Sequence, residues 1–351
     1  MNSRKRAFTT GLEKLGGKKN GQSNYASTPA RPTPALARDG TLQADHLICG
    51  DSIHVLNDAP PGWVDLVFAD PPFNIGYLYD GYNDQRNAED YLHFSRDWMQ
   101  AIHRALKPAG SFFLAIGDDF AADLCVIARR ELGFNLRNWI IWHYTFGQQP
   151  RVKFAKSHTH ILYFTKDAKQ FTFNADAVRI PSARQTTYAD PRANPKGKLP
   201  DDVWFLRPQE APEPFFSPES DTWNVSRVCG TFKEREGWHG CQMPMGVLNR
   251  IIAAASNPGD LVLDPFNGSG TTTVAATLAG RRFIGIEQSQ KYVEFARLRH
   301  ENARANLAAS QVDSSISLPN LHDVNRSSRV LTPTDALGRL RVTRPRSRKI
   351  A

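Results

Sequence analysis

Two loops limit what this chain can fold into. The first, Phe68-Ala69-Asp70-Pro71-Pro72-Phe73, ends an apolar run that begins at Val64 with an acid, two prolines and an aromatic ring. The second lies far downstream. Asp264-Pro265-Phe266-Asn267-Gly268-Ser269-Gly270-Thr271-Thr272 follows Leu261-Val262-Leu263 and opens a small-residue stretch that reads as a helix. A strand, a glycine turn and a helix in succession form a unit of an α/β sheet. One loop offers a carboxylate and a flat ring. The other offers backbone N–H groups at a helix start, where negative charge is favoured. Together they imply a flat substrate at the first loop and a charged cofactor at the second.

The pattern around these loops alternates strand and helix. Strands are predicted near Leu47–Asp51, Val64–Ala69, Ser111–Ile116, Phe134–Tyr144, His160–Thr165, 261–264 and Arg282–Ile286. Helices are predicted over 88–106, where Tyr91, Phe94, Trp98, Ala101, Ile102 and Ala105 recur at three- and four-residue steps, and over Ala121–Leu132. Further helices are predicted from Pro244 through Ala255, from Thr271 to Ala279 and from Ser289 to Leu307. The expected fold is a doubly wound, mostly parallel α/β sheet with helices on both faces. Residues 168–235 break the pattern, with eight prolines between Pro181 and Pro218 among aromatics and scattered charge. They read as an inserted, loop-rich region outside the sheet. Residues 1–40 and 308–351 lack an apolar period and read as disordered tails.

The net charge of +9 resides in those tails. Residues 1–40 carry eight Lys/Arg against two acids and 311–351 carry eight against three, so the 270 residues between them are near −2. Basic arms suit a polyanion such as DNA or RNA, or simply keep the protein soluble. No apolar stretch is long enough for a transmembrane helix, and the N-terminus lacks a signal-peptide core. The four cysteines, Cys49, Cys125, Cys229 and Cys241, form no CxxC pair and suit a reducing cytoplasm. Cys229, His239 and Cys241 match no common zinc spacing and lack a fourth ligand, so no metal is expected.

The second loop is not a P-loop, because no lysine follows its second glycine, and it lacks the third glycine of the dinucleotide fingerprint. Glu287 lies 17 residues past Gly270 at the end of the next strand. An acid there can accept both hydroxyls of a ribose. The glycines admit a ligand to the backbone, and Phe266 can lie against an adenine ring. A nucleoside with an amino-acid tail, S-adenosylmethionine, fits Asp264, Phe266, Gly268, Ser269, Gly270, Thr271 and Glu287.

The first loop suits an exocyclic amine on adenine or cytosine. That nitrogen is a poor nucleophile because its lone pair is delocalised into the ring. A site that accepts its N–H bonds pulls charge onto nitrogen. Asp70 and the carbonyl of Pro71 are the candidate acceptors. Pro71 and Pro72 make a rigid turn without N–H donors, and Phe73 can stack on a base that has left the duplex.

Taken together, these motifs resemble those of the DNA amino-methyltransferases, which act on adenine N6 or cytosine N4. The family's catalytic motif, (D/N/S)PP(Y/F/W), is matched by Asp70–Phe73, and its cofactor motif, DPFxGSGTT, by Asp264–Thr272. The catalytic motif comes first, as in the β-type arrangement, with the recognition region between the two. Gly50-Asp51 resembles a motif whose acid contacts the cofactor adenine, which assigns Asp51 to the cofactor. His239-Gly240-Cys241-Gln242-Met243-Pro244 resembles HPTQKP, with Gly240, Cys241 and Met243 departing from it. That match brings Gln242 to the cofactor. Trp142 to Lys166 resembles the target-base strand and its basic loop.

The resemblance spans about residues 42–304. It implies a Rossmann-like methyltransferase sheet with a reversed, hairpin-like edge. It divides the chain into a catalytic half (41–167), a target-recognition insert (168–235) and a cofactor-binding half (236–307). It implies a cytoplasmic, nucleoid-associated enzyme that flips a base from duplex DNA and transfers a methyl group directly to nitrogen. Arg151, Lys153, Lys156, Arg179 and Arg184, with Trp204, are the expected DNA contacts. Asp at the first motif position favours adenine N6. Cytosine N4, an RNA or protein substrate, and a non-catalytic DNA-binding relative stay open, as do a homodimer and a partner restriction nuclease.

Overall fold

The structure is a computed structural model that describes residues 42–79, 82–144, 151–152, 154–204 and 242–312. In chain order the elements are β1 (His46–Cys49), α1 (Ser52–Asp58), β2 (Val64–Ala69), β3 (Leu78–Tyr79), β4 (Tyr82–Asn83), α2 (Ala88–Ala105), β5 (Leu106–Ile116) and α3 (Asp118–Val126). A π-helical turn, Ile127–Glu131, extends α3 and leads to β6 (Asn135–His143) and β7 (His158–Thr165). A short 3₁₀ turn, Ala175–Ala177, precedes α4 (Ala183–Thr186) and β8 (Val203–Trp204). The last elements are α5 (Met245–Ala255), β9 (Leu261–Asp264), α6 (Thr271–Leu278), β10 (Arg282–Glu287) and α7 (Gln290–Val312).

Eight strands form one sheet in the order β1-β10-β9-β2-β5-β7-β6-β8, while β3 and β4 make a separate hairpin. The five strands from β1 to β5 pair in parallel, and β7 runs antiparallel to both β5 and β6. This is the expected doubly wound sheet with a reversed edge.

The strands are apolar on both faces because helices cover both. Along β2, Val67 and Ala69 face a core built with Trp98, Met99, Ile102, Leu56 and Leu124 from α1, α2 and α3. Leu66 and Phe68 face the other core, with Val247, Leu248 and Ile251 of α5, Ala275 of α6 and Val293 of α7. Alternate residues serve opposite layers, as pleating requires.

Several boundaries differ from those read in the sequence. β5 begins at Leu106, not Ser111, because two steps along β2 are matched by five along β5, from Val64↔Leu106 to Leu66↔Ser111. The Lys107-Pro108-Ala109-Gly110 stretch is thus a bulge, held where Lys107 Nζ meets both Asp65 oxygens at 2.8 Å. α3 starts at Asp118 rather than Ala121, with Asp118 and Asp119 in its first turn, where acids favour the helix dipole. α7 continues past Leu307 to Val312. The insert also contributes to the sheet: Val203 and Trp204 pair in parallel with Ile141 and Trp142. Residues 1–41, 205–241 with the zinc candidates Cys229, His239 and Cys241, and 313–351 lie outside the described residues, whereas 308–312, read as the start of a disordered tail, continue α7. Among the described residues, no helix is long and apolar enough to cross a membrane.

Candidate active site

The chain leaves β2 toward β5 through α2, and leaves β9 toward β10 through α6. The two strands are neighbours, but α2 lies on one face of the sheet and α6 on the other. The connections therefore diverge between the carboxyl ends of β2 and β9, opening a crevice there. Asp70 follows the end of β2, and Asp264 ends β9. Glu287 ends the next strand, β10, and Asp51 follows β1 beyond it. Four acids far apart in sequence thus come from four adjacent strands at one edge. α5 runs back toward the start of β9, so Gln242, just before that helix and buried, also belongs to this edge.

Glu287 braces the second loop. One of its oxygens accepts the N–H of Gly268 at 3.0 Å and the other that of Ser289 at 2.9 Å. Asp264 is buried, and its carboxylate accepts the N–H of Phe266 at 3.0 Å. Burial pushes the Asp264 carboxyl up to about 7, with the Glu287 charge adding to the effect and a Thr272 hydrogen bond opposing it. Burial also raises Glu287 above the usual carboxylate range, against the backbone N–H groups that favour its charge. A buried acid and a half-buried one thus share one loop.

Gly270 sits at φ 76, the left-handed region, where the chain turns into α6. Gly285 lies under this loop, and a Cβ there would come within 2.5 Å of Asn267 Oδ1. The side chains of Ser269 and Thr271 are buried and bonded to each other at 3.0 Å. Arg299 of α7 clasps them, reaching Thr271 Oγ1 at 2.8 Å and the Ser269 carbonyl at 3.0 Å. The sequence reading missed Arg299, which lies on a helix with no motif of its own. Phe266 is half-buried and packs edge-on against Trp98, with ring centroids 5.4 Å apart. Asp51 caps α1 through the His54 N–H at 3.0 Å and also accepts from Gln288 Nε2 at 2.9 Å.

At the first loop Pro71 is buried, while Asp70, Pro72 and Phe73 are half-buried. Tyr91 of α2 donates to the Pro72 carbonyl at 2.8 Å. The Phe73 ring lies over Gly117, where a Cβ would meet it at 3.2 Å. The segment after Phe73 is held by a residue that sequence reasoning missed. Asp84 is buried and accepts the backbone N–H groups of Asn74, Ile75 and Tyr77 at 2.8, 3.1 and 3.2 Å. Asn74 has a positive φ of 58°. An acid in a polar stretch gives no sequence signal that it will be buried.

A second unpredicted cluster adjoins Phe73. Asp118 Oδ1 lies 3.1 Å from Nε2 of both His158 and His160. Trp139 donates its indole N–H to His160 Nδ1 at 2.9 Å. Indole only donates, so Nδ1 of His160 holds a lone pair and Nε2 carries the proton given to Asp118. A metal would need that Nε2 lone pair and would turn an Nδ1–H against the indole. The trio, whose ligand atoms lie within 4.8 Å of one another, is therefore a hydrogen-bonded anchor rather than a metal site. Burial works to raise Asp118, but Lys156 and His158 outweigh it and hold the carboxyl below its ordinary range. The His-Thr-His spacing on a strand, which places both rings on one face, is the signal that could have revealed it.

The expected DNA-contacting cations are dispersed. Arg151 is exposed near the catalytic edge, and Lys153 lies outside the described residues. Lys156 is drawn to Asp118 and Asp119 at 3.4 and 3.2 Å. Arg179 binds Asp176 and the Gly197 carbonyl, each at 2.9 Å, and Arg184 binds Asp190 at 2.6 Å. Those two arginines hold the insert's own fold together.

Comparison with known proteins agrees with this geometry. A family model described as DNA methylase, for N6 and N4 enzymes, matches residues 64–298, which include both loops. The type II methyltransferase M.HpaI of Haemophilus parainfluenzae is 34% identical over 254 residues, covering 72% of this chain and 73% of that protein. The DNA adenine methyltransferase YhdJ of Escherichia coli (strain K12) is 32% identical over 275 residues, covering 77% of this chain and 87% of that one. Among solved structures, PvuII DNA methyltransferase, described as cytosine-N4-specific, matches 76% of this chain and 92% of its own. Its TM-score of 0.53 at 17% identity bears on the fold alone. With a crevice between two diverging connections, a braced glycine loop on one side and Asp-Pro-Pro-Phe on the other, and with these matches, the chain belongs to the family of N6/N4 DNA methyltransferases, enzymes that use S-adenosylmethionine as methyl donor.

Proposed function

We propose that the protein methylates the exocyclic N6 of an adenine flipped out of duplex DNA, with Asp70 and Pro71 as acceptors for the amine. The observation that carries this reading is Asp70 itself, placed at the β2–β9 crevice beside the cofactor loop. Asp in this position favours adenine, and the named activity of YhdJ supports the same choice. The Asp70 carboxylate and Pro71 carbonyl draw the amine's N–H bonds and so raise electron density on nitrogen. Phe73, set against Gly117, offers a ring on which the extruded base can stack.

S-adenosylmethionine supplies an electrophilic methyl group on its sulfonium. The residues fit it: Asp264 is a buried acid and Glu287 a half-buried one, and burial raises both carboxyls. An ammonium and a pair of ribose hydroxyls would add to the backbone N–H groups these carboxylates already accept. Asp264 would hold the amino group, Glu287 the ribose and Phe266 the adenine. The Gly268–Thr271 backbone would line the loop, with Asp51 and Gln242 at its flanks. The insert 168–235 would read the DNA sequence. Its described part returns to the catalytic edge at β8, beside Trp142.

The test is to methylate duplex DNA with the purified protein and labelled cofactor, digest it and identify the product by mass spectrometry. N6-methyladenine is expected. N4-methylcytosine would keep the enzyme class and overturn the adenine assignment.

A further inference from the structure

β6 ends and β7 begins at the catalytic edge, so the connection between them leaves the sheet beside Phe73 and Gly117. Phe154, in this connection, is 98% exposed, and Val152 is 95% exposed. Scattered exposed apolar residues are common, but a fully extruded phenylalanine at the rim of a crevice gains nothing from the fold. The connection is tied down where it rejoins the sheet. Lys156 Nζ reaches Asp118 and Asp119 at 3.4 and 3.2 Å, and His158 reaches Asp118 at 3.1 Å. The Tyr144 N–H donates to the Ser157 carbonyl at 2.8 Å, and the Tyr144 hydroxyl donates to the His158 carbonyl at 3.0 Å. Phe154 thus projects from a connection whose return to the sheet is anchored to the first turn of α3, and Arg151, three residues earlier in sequence, is exposed and suited to a phosphate.

We propose that Phe154 is a wedge that enters the DNA base stack as the target base leaves it. This rests on the reading of the protein as a base-flipping DNA methyltransferase. Extruding a base removes stacking and pairing, and an apolar side chain inserted between base steps offsets part of that loss. Charge complementarity favours duplex DNA as the occupant. Exposed Arg151 would supply phosphate contact, while Lys156 is engaged at the surface by two acids.

The experiment compares two duplexes, one fully paired and one with an abasic site opposite the target, where extrusion costs less. On the paired duplex, Phe154→Ala is expected to lower kcat/KM by about tenfold or more, as when part of an unstacking cost is no longer offset. On the abasic duplex it is expected to stay within about twofold of the unaltered enzyme. Phe154→Leu, which keeps an apolar wedge, should restore most of the paired rate, and cofactor affinity should not move in either variant. A 2-aminopurine at the target should brighten less with the alanine variant.

Equal losses on both duplexes, or no loss on the paired one, overturn the wedge. An unaltered protein that transfers no methyl group to any DNA overturns the functional reading, and the wedge with it. Methylation by the unaltered protein combined with identical kinetics for Phe154→Ala overturns the wedge alone.

Discussion

Glu287, at the end of β10, accepts the backbone N–H of Gly268, in the loop after β9, at 3.0 Å. One carboxylate thus shapes the glycine turn and, in the proposed function, also holds the ribose. Glu287→Ala is expected to weaken S-adenosylmethionine binding by about 1.5–3 kcal/mol, the worth of hydrogen bonds to a charged group. Isothermal calorimetry measures it, and an unchanged affinity would remove Glu287 from the site.

Asp264 should make cofactor binding depend on pH. Its carboxyl, pushed up from 3.8 to about 7 by burial, holds a proton in the fold that the unfolded chain has already released. Its contribution to stability without ligand therefore declines as pH rises through that window. An ammonium ligand favours the ionised form, so affinity should rise with pH until about 7 and then level. Calorimetry in buffers of different ionisation enthalpy should reveal proton release on binding. Asp264→Asn should bind more weakly and lose the slope; a slope that persists assigns it to another group.

Asp70→Ala should abolish methylation and leave cofactor affinity intact, because the proposed role of Asp70 is to accept the target amine and not to hold the cofactor. Loss of a preorganised acceptor should cost about 10²-fold or more in rate. Single-turnover kinetics with saturating cofactor provide the check, and near-normal turnover would exclude Asp70 from the chemistry.

Asp84→Ala leaves the N–H groups of Asn74, Ile75 and Tyr77 without their common acceptor. These hydrogen bonds to a charged acceptor are part-buried, so the melting temperature should fall. The segment comes directly after the catalytic motif, so kcat should fall while cofactor affinity holds. A lower melting temperature with unchanged kcat would restrict Asp84 to stability.

His300 sets an opposite pH slope. Burial, helped by Arg304 and Arg299, pushes its imidazole down to about 4. The ring stacks on Phe283, with centroids 4.3 Å apart, and Nε2 lies 2.9 Å from Thr273 Oγ1. The unfolded chain binds the proton near 6.5 and the fold does not, so stability falls as pH drops from 6.5 through about 4. The full contribution is about 3 kcal/mol. Urea denaturation across this range should show His300→Gln flattening the acid side. A curve with the wild-type acid limb would assign it elsewhere.

The sheet was legible because its strands are apolar on both faces and its helices carry an apolar stripe. Val64–Ala69, 261–264 and the stripe from Tyr91 to Ala105 matched the structure closely. The bulge at Lys107–Gly110 was not legible. Pro and Gly after a helix read as a stop, and only pairing with β2 shows that the strand has already begun. Likewise Val203-Trp204 gained a sheet partner that its Pro-rich surroundings concealed.

By itself the sequence determined the two motif loops, their order, the strand-and-helix alternation and hence the family. Tertiary structure alone decided which charges meet. It set Lys156 beside Asp118, Arg179 beside Asp176 and Arg184 beside Asp190. It also buried Asp84 and Asp264 and set His158 and His160 against Asp118. Periodicity is a local property, so it can be read along the chain. Burial and ion pairing depend on which residues the sheet order brings together.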